Sequence, residues 1–103
     1  MPTRLPVIHV GEDWYALKLT TNALCFAQEI MDCSLPTLMN ALDACDPLAV
    51  RALFCAALRH DGEERTLESC GEIIDAYLAY NGSLQELSNM LRLEVAKTGY
   101  RAP

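Results

Sequence analysis

Asp46-Pro47-Leu48-Ala49-Val50-Arg51-Ala52-Leu53-Phe54-Cys55-Ala56-Ala57-Leu58-Arg59-His60-Asp61-Gly62 carries helix punctuation at both ends and almost no polar residue between them. Asp46 is an N-cap acceptor, and Pro47 stands at the first helical position, where its missing N–H has no partner to lose. Arg59 and His60 fall in the last turn, where positive charge suits the helix dipole, and Gly62 tolerates the left-handed conformation that ends a helix. Val50, Leu53, Phe54, Ala57 and Leu58 recur at helical spacing, while Ala52, Cys55 and Ala56 carry the apolar surface most of the way round. Only Arg51 and Arg59 interrupt it. A helix this apolar is buried on most sides, so the other elements are expected to pack around it.

Before this helix, Leu5 to Val10 and Trp14 to Leu19 are β-branched or aromatic runs joined by Gly11-Glu12-Asp13, the pattern of a β-hairpin over residues 5–19. Pro6 marks the first strand as an edge. Strand alternation places Tyr15, Leu17 and Leu19 on one face, free of charge and therefore inward, with Trp14, Ala16 and Lys18 on the other. Thr20, Thr21 and Asn22 can each cap a helix running to about Cys33, with Ala23, Phe26, Ala27, Ile30 and Met31 on its buried side. Ser34 opens a short second helix with Pro36 in its first turn and Leu35, Leu38, Met39, Leu42 and Cys45 inward.

Beyond the central helix, residues 61–65 read as a polar loop. Thr66 then caps a fourth helix whose Leu67, Cys70, Ile73, Ile74, Tyr77 and Leu78 share one side, and Asn81-Gly82 stops it. Ser83 with Glu86 three residues on makes a capping box for a fifth helix. Leu84, Leu87, Leu91 and Val95 form its inward stripe, Met90 and Leu93 widen that stripe, and Gly99 ends it. The expected fold is mainly α, with an N-terminal hairpin and five short helices (20–99) around a central apolar one, in a single domain 1–103 with a frayed end at 100–103.

The composition narrows the function. Hydrophobic residues make up 51% of 103, enough for a core, yet no apolar run approaches the roughly 20 residues of a membrane span. The N-terminus lacks the apolar stretch of a secretory signal, so a cytosolic protein is expected. The net charge of −6 is concentrated in Glu29, Asp32, Asp43 and Asp46 and in Glu63, Glu64, Glu68, Glu72 and Asp75, which disfavours nucleic acid phosphates. A helix-turn-helix needs basic and amide side chains on its reading helix, whereas the fourth helix offers Glu68, Glu72 and Asp75.

Signals for chemistry are sparse. Cys25, Cys33, Cys45, Cys55 and Cys70 are odd in number, never form Cys-x-x-Cys, and mostly sit among apolar neighbours, as small buried hydrophobes do in a reducing compartment. A thiol or metal site using Cys33, Cys45 or Cys70 would need them to converge, with only His9 and His60 to assist. Cys55 and His60, five residues apart on one helix, point about 140° apart and cannot form a dyad. The glycines are scattered rather than gathered into a phosphate loop. No enzyme activity, metal or cofactor is expected, which leaves protein binding. Two surfaces present themselves: the fifth helix through Leu87, Met90, Arg92, Leu93 and Lys97, the least acidic end of the chain, and the hairpin edge, which offers pairing to a partner or to a second copy.

The order of these signals resembles a known family. Tyr15-Ala16-Leu17-Lys18-Leu19-Thr20 followed by Asn22-Ala23-Leu24 and Glu29, then Val50-Arg51-Ala52-Leu53 with Ala56-Ala57-Leu58-Arg59, and Thr66-Leu67-Glu68 with Gly71-Glu72-Ile73-Ile74-Asp75, resemble the small tail assembly proteins of long-tailed bacteriophages and gene transfer agents. The resemblance covers roughly residues 12 to 80. The chain departs from the pattern at Thr21-Asn22, where an aromatic and a glycine are common, and in its many cysteines. The resemblance implies a non-enzymatic chaperone in the bacterial host cytoplasm that coats the tape measure protein until the tail tube polymerises around it. Some relatives carry a tail-tube label, so a minor structural component of the tube is the alternative. A small acidic regulator, an inhibitor or antitoxin, is the rival from outside the family.

Overall fold

The computed structural model describes residues 5–80 and 82–100, and within them it is mainly helical with an N-terminal hairpin. Strands β1 (Val7–Val10) and β2 (Asp13–Ala16) pair antiparallel, Ile8 opposite Tyr15 and His9 opposite Trp14. Gly11 turns the chain at φ 62°, a conformation that favours glycine in a two-residue hairpin loop. Ile8, Leu17 and Leu19 are buried and Trp14 is 64% exposed, so the charge-free face is the inner one, as expected.

Both strands are shorter than the runs 5–10 and 14–19. The Leu17 N–H still donates to the Pro6 carbonyl at 2.9 Å, but the Lys18 N–H turns away and donates to the carbonyl of Ala57 at 3.1 Å. That carbonyl lies in the last turn of α3 (Pro47–Leu58), where helix geometry leaves acceptors without partners. The chain leaves the ladder because a helix end offers it a better-placed acceptor. The link is reciprocated: His60, one turn on, lies 2.8 Å from the carbonyl of Ala16.

Helix α3 is the centre of the fold. Asp46 Oδ1 accepts the N–H of Leu48 at 3.0 Å, Pro47 opens the first turn, and from Ala49 to Leu58 only Arg51 escapes full burial. Each large side chain so enclosed, such as Leu53 or Phe54, contributes about 1.5–3 kcal/mol of transfer free energy. Helices α1 (Thr21–Met31), α2 (Leu35–Asp43), α4 (Leu67–Tyr80) and α5 (Leu84–Lys97) all touch it. Arg59 and His60 lie just past its α-helical end, in a 3-10 turn Arg59–Asp61 that Gly62 closes at φ 79°.

The caps explain the remaining boundaries. Thr20 Oγ1 accepts the N–H of Ala23, and α1 stops at Met31 rather than Cys33 because Asp32 adopts the left-handed region at φ 49°. Thr66 and Ser69 cap α4 reciprocally, each hydroxyl accepting the other's backbone N–H, at 3.0 and 3.1 Å. Ser83 accepts the N–H of Glu86 at 3.0 Å, but the Glu86 carboxylate takes the Tyr77 hydroxyl at 3.4 Å, so only half of the expected capping box forms. On α4, Leu78 is exposed instead of inward. Helix α5 ends at Lys97, two residues before Gly99. Tyr100 packs partly against the core and is not frayed. Asn81 and residues 101–103 of the expected tail lie outside the described residues.

Candidate partner-binding surfaces

The structure does not gather the five expected contact residues of α5 into one patch. Leu87, Leu91 and Val95 repeat every four residues and are buried, as expected of the inward stripe, so Leu87 belongs to the core and not among the partner contacts. Met90 is about 100° round from Leu91 and packs against the core as a flank. Leu93, about 200° from Leu91, is 62% exposed at the centre of the outer face. The positive charges are engaged: Lys97 Nζ lies 2.6 Å from the buried carboxylate of Glu94, and Arg92 lies 3.6 Å from Asp43 on α2. The end of the chain read as least acidic therefore has its cations paired with carboxylates.

What the fold adds is two open grooves between helices. One, of about 430 Å³, runs between α2 and α5, with Met39, Val95, Ala96 and Tyr100 as its apolar lining. The Arg92–Asp43 pair joins its two walls. Both side chains are about half exposed, so the pair is worth only about 0.2–1 kcal/mol and yields readily. Methionine 39 supplies the adaptable surface that helix-binding grooves favour. The second, also about 430 Å³, lies where the start of α3, the outer side of α4 and the start of α5 meet.

A larger cavity, about 600 Å³, lies beside the end of α3 and is bordered by Phe26, Cys55, Arg59 and Arg65. Its two guanidinium groups are committed. Arg59 stacks over the Phe26 ring at 3.9 Å, and Arg65 binds Asp61 through both nitrogens, at 2.7 and 3.1 Å, while also donating to the Leu58 carbonyl. The Arg65 hydrogen bond holds the Asp61 carboxyl below its ordinary value. Residues 61–65 are thus an ion-paired clasp over the helix end rather than a loose polar loop. Cys55 reaches this cavity from the core, and burial together with the adjacent Cys55 thiol pushes Cys70 up to about 12, so that thiol stays protonated and inert at neutral pH.

Cys55 and Cys70 are buried as expected, Cys33 and Cys45 are half-buried, and Cys25 is exposed. The Cys45 thiol approaches Gln85 Oε1 at 3.1 Å. Among the described residues no three His, Cys, Asp or Glu side chains converge as metal ligands, and no helix is long and apolar enough to cross a membrane. The outer face of the hairpin carries the exposed Trp14 opposite His9. Sequence reasoning missed Ser69 as a cap, though Thr66-x-x-Ser69 has capping-box spacing, and missed both grooves, which depend on tertiary packing. No protein-family model matches the chain, and comparison with curated proteins and with solved structures finds no match.

Proposed function

We propose that the protein is a non-enzymatic tail assembly chaperone that binds apolar helices of a tape measure protein. It keeps them dispersed in the bacterial cytoplasm until the tail tube forms around them. The observation that carries this reading is the α2–α5 groove, an open trough between two helices with Met39, Val95, Ala96 and Tyr100 in its lining, on an acidic chain. Such a trough suits an amphipathic helix laid into it, with affinity from buried apolar area. The resemblance at residues 12–80, carried mostly by helix-cap and core positions, is the sequence ground for this reading. A minor tail-tube component is the second reading, favoured by the exposed Trp14 on a hairpin whose β1 has no further strand beside it among the described residues.

The test is co-expression with helical segments of a tape measure protein from the same genome, followed by gel filtration. The chaperone reading expects the segment to become soluble and to co-elute, and expects Ala96→Glu to abolish this without loss of fold, since Ala96 is exposed in the groove lining. Leu93→Glu, on the adjacent outer face, is expected to weaken it. If the segment stays insoluble while the protein alone forms rings that Trp14→Ser dissolves, the tail-tube reading replaces it.

A further inference from the structure

The groove between α3, α4 and α5 has a character the α2–α5 groove lacks. Its floor is apolar, formed by Ile74, the half-buried Leu84 and Leu48, which stands 54% exposed in the first turn of α3. Along one side run Glu68, Glu72 and Asp75, spaced i, i+4 and i+7 on α4, so that three carboxylates line up over roughly 10 Å. None of the three has an ion-pair partner among the described residues. The one cation of the lining, Arg51, lays its stem toward Gly71 instead.

Gly71 is a further feature of the groove lining. Glycine is among the least favourable residues inside a helix, and here it stands in the middle of α4 with ordinary helical backbone. A Cβ at that position would meet only Arg51 Cδ at 3.5 Å, an ordinary contact distance. Among the described residues, none requires this one to be so small. With no Cβ at Gly71, the groove wall beside Arg51 stays shallow enough for another backbone to come close.

We infer that this groove docks a basic amphipathic helix of a partner protein, one with an apolar ridge over Leu48 and Gly71 and lysine or arginine along the side facing Glu68, Glu72 and Asp75. A second copy offers no such helix: α5 carries only Arg92 and Lys97, α3 only Arg51, and α1, α2 and α4 no lysine or arginine. The inference rests on this groove alone and stands whether or not the partner is a tape measure protein.

The test uses a fluorescently labelled helical peptide of about 15 residues, long enough to hold helix, with leucines at i, i+3, i+4 and i+7 and lysines flanking them. A matched peptide carries glutamate in place of lysine. Anisotropy titrations on the full chain are expected to show binding of the lysine peptide, weakened at least tenfold by Glu72→Lys or by raising the salt from about 50 to about 500 mM, and none of the glutamate peptide. Leu48→Ser, at an exposed site, is expected to weaken binding about tenfold. Gly71→Ala is expected to raise the melting temperature while weakening binding, a split that a purely structural role would not produce. Equal binding of both peptides, or a lysine-peptide affinity that these variants leave unchanged, would overturn the inference.

Discussion

Gly82→Ala is the sharpest single test of how α4 and α5 are joined. A methyl group there would sit 2.1 Å from Cε2 and 2.2 Å from Cζ of the Tyr77 ring. Ordinary carbon contacts begin near 3.5 Å, so the ring must move by more than an ångström. It cannot do so freely, because Tyr77 is buried and its hydroxyl is tied to Glu86. Overpacking of this kind costs about 1–3 kcal/mol. Reduced freedom of the unfolded chain offsets about 0.4–1 kcal/mol of that. The net loss is about 1–2 kcal/mol, or roughly 5–9 °C in melting temperature for a domain near 100 residues. Thermal and urea unfolding of Gly82→Ala, Tyr77→Leu and the double variant form a cycle that isolates the contact. Gly82→Ala is expected to become neutral or stabilising once the ring is gone. The contact is refuted if Gly82→Ala alone stabilises the protein, since the ring would then not lie over residue 82.

Other consequences follow from single buried or charged groups. Ser88 is buried in α5 with its hydroxyl unpaired, so Ser88→Ala is expected to be neutral or to stabilise by up to about 1 kcal/mol in urea unfolding, where most core truncations lose stability. Asp61 has its carboxyl lowered from 3.8 by Arg65, so its contribution is full above that value and disappears as pH falls through the lower folded one. Arg65→Gln should move the Asp61 titration, followed by NMR, back toward 3.8 and flatten this part of the acid unfolding curve. Among the cysteines, iodoacetamide at pH 8 should modify Cys25 first, while Cys70, held at about 12 by burial, reacts only at the rate of opening, as read by mass spectrometry.

The central helix was legible because its signals are local. Asp46 and Pro47 at one end, Gly62 at the other and unbroken apolar spacing between them require no knowledge of the rest of the chain. Boundaries set by tertiary contacts were not legible. The hairpin ends early because Lys18 finds the Ala57 carbonyl, and α1 ends early because Asp32, lacking any glycine signal, takes a left-handed conformation that aspartate tolerates better than most residues. On α5 the inward stripe was readable from period alone, yet the outer surface was not. Arg92 and Lys97 looked available in sequence, and folding brings Asp43 from α2 to one and the neighbouring turn's Glu94 to the other. The grooves could not have been found at all, since each is lined by residues of two or three helices.

The claim that the α2–α5 groove holds an apolar helix is tested most directly by titrating the isotopically labelled protein with a soluble helical fragment of the tape measure protein and following backbone amide shifts. The account predicts that the shifts gather at Met39, Asn40, Arg92 and Ala96, and that they vanish in Ala96→Glu. Saturating shifts confined to the hairpin around Trp14, or none at fragment concentrations well above those that keep it soluble in the cell, would contradict it.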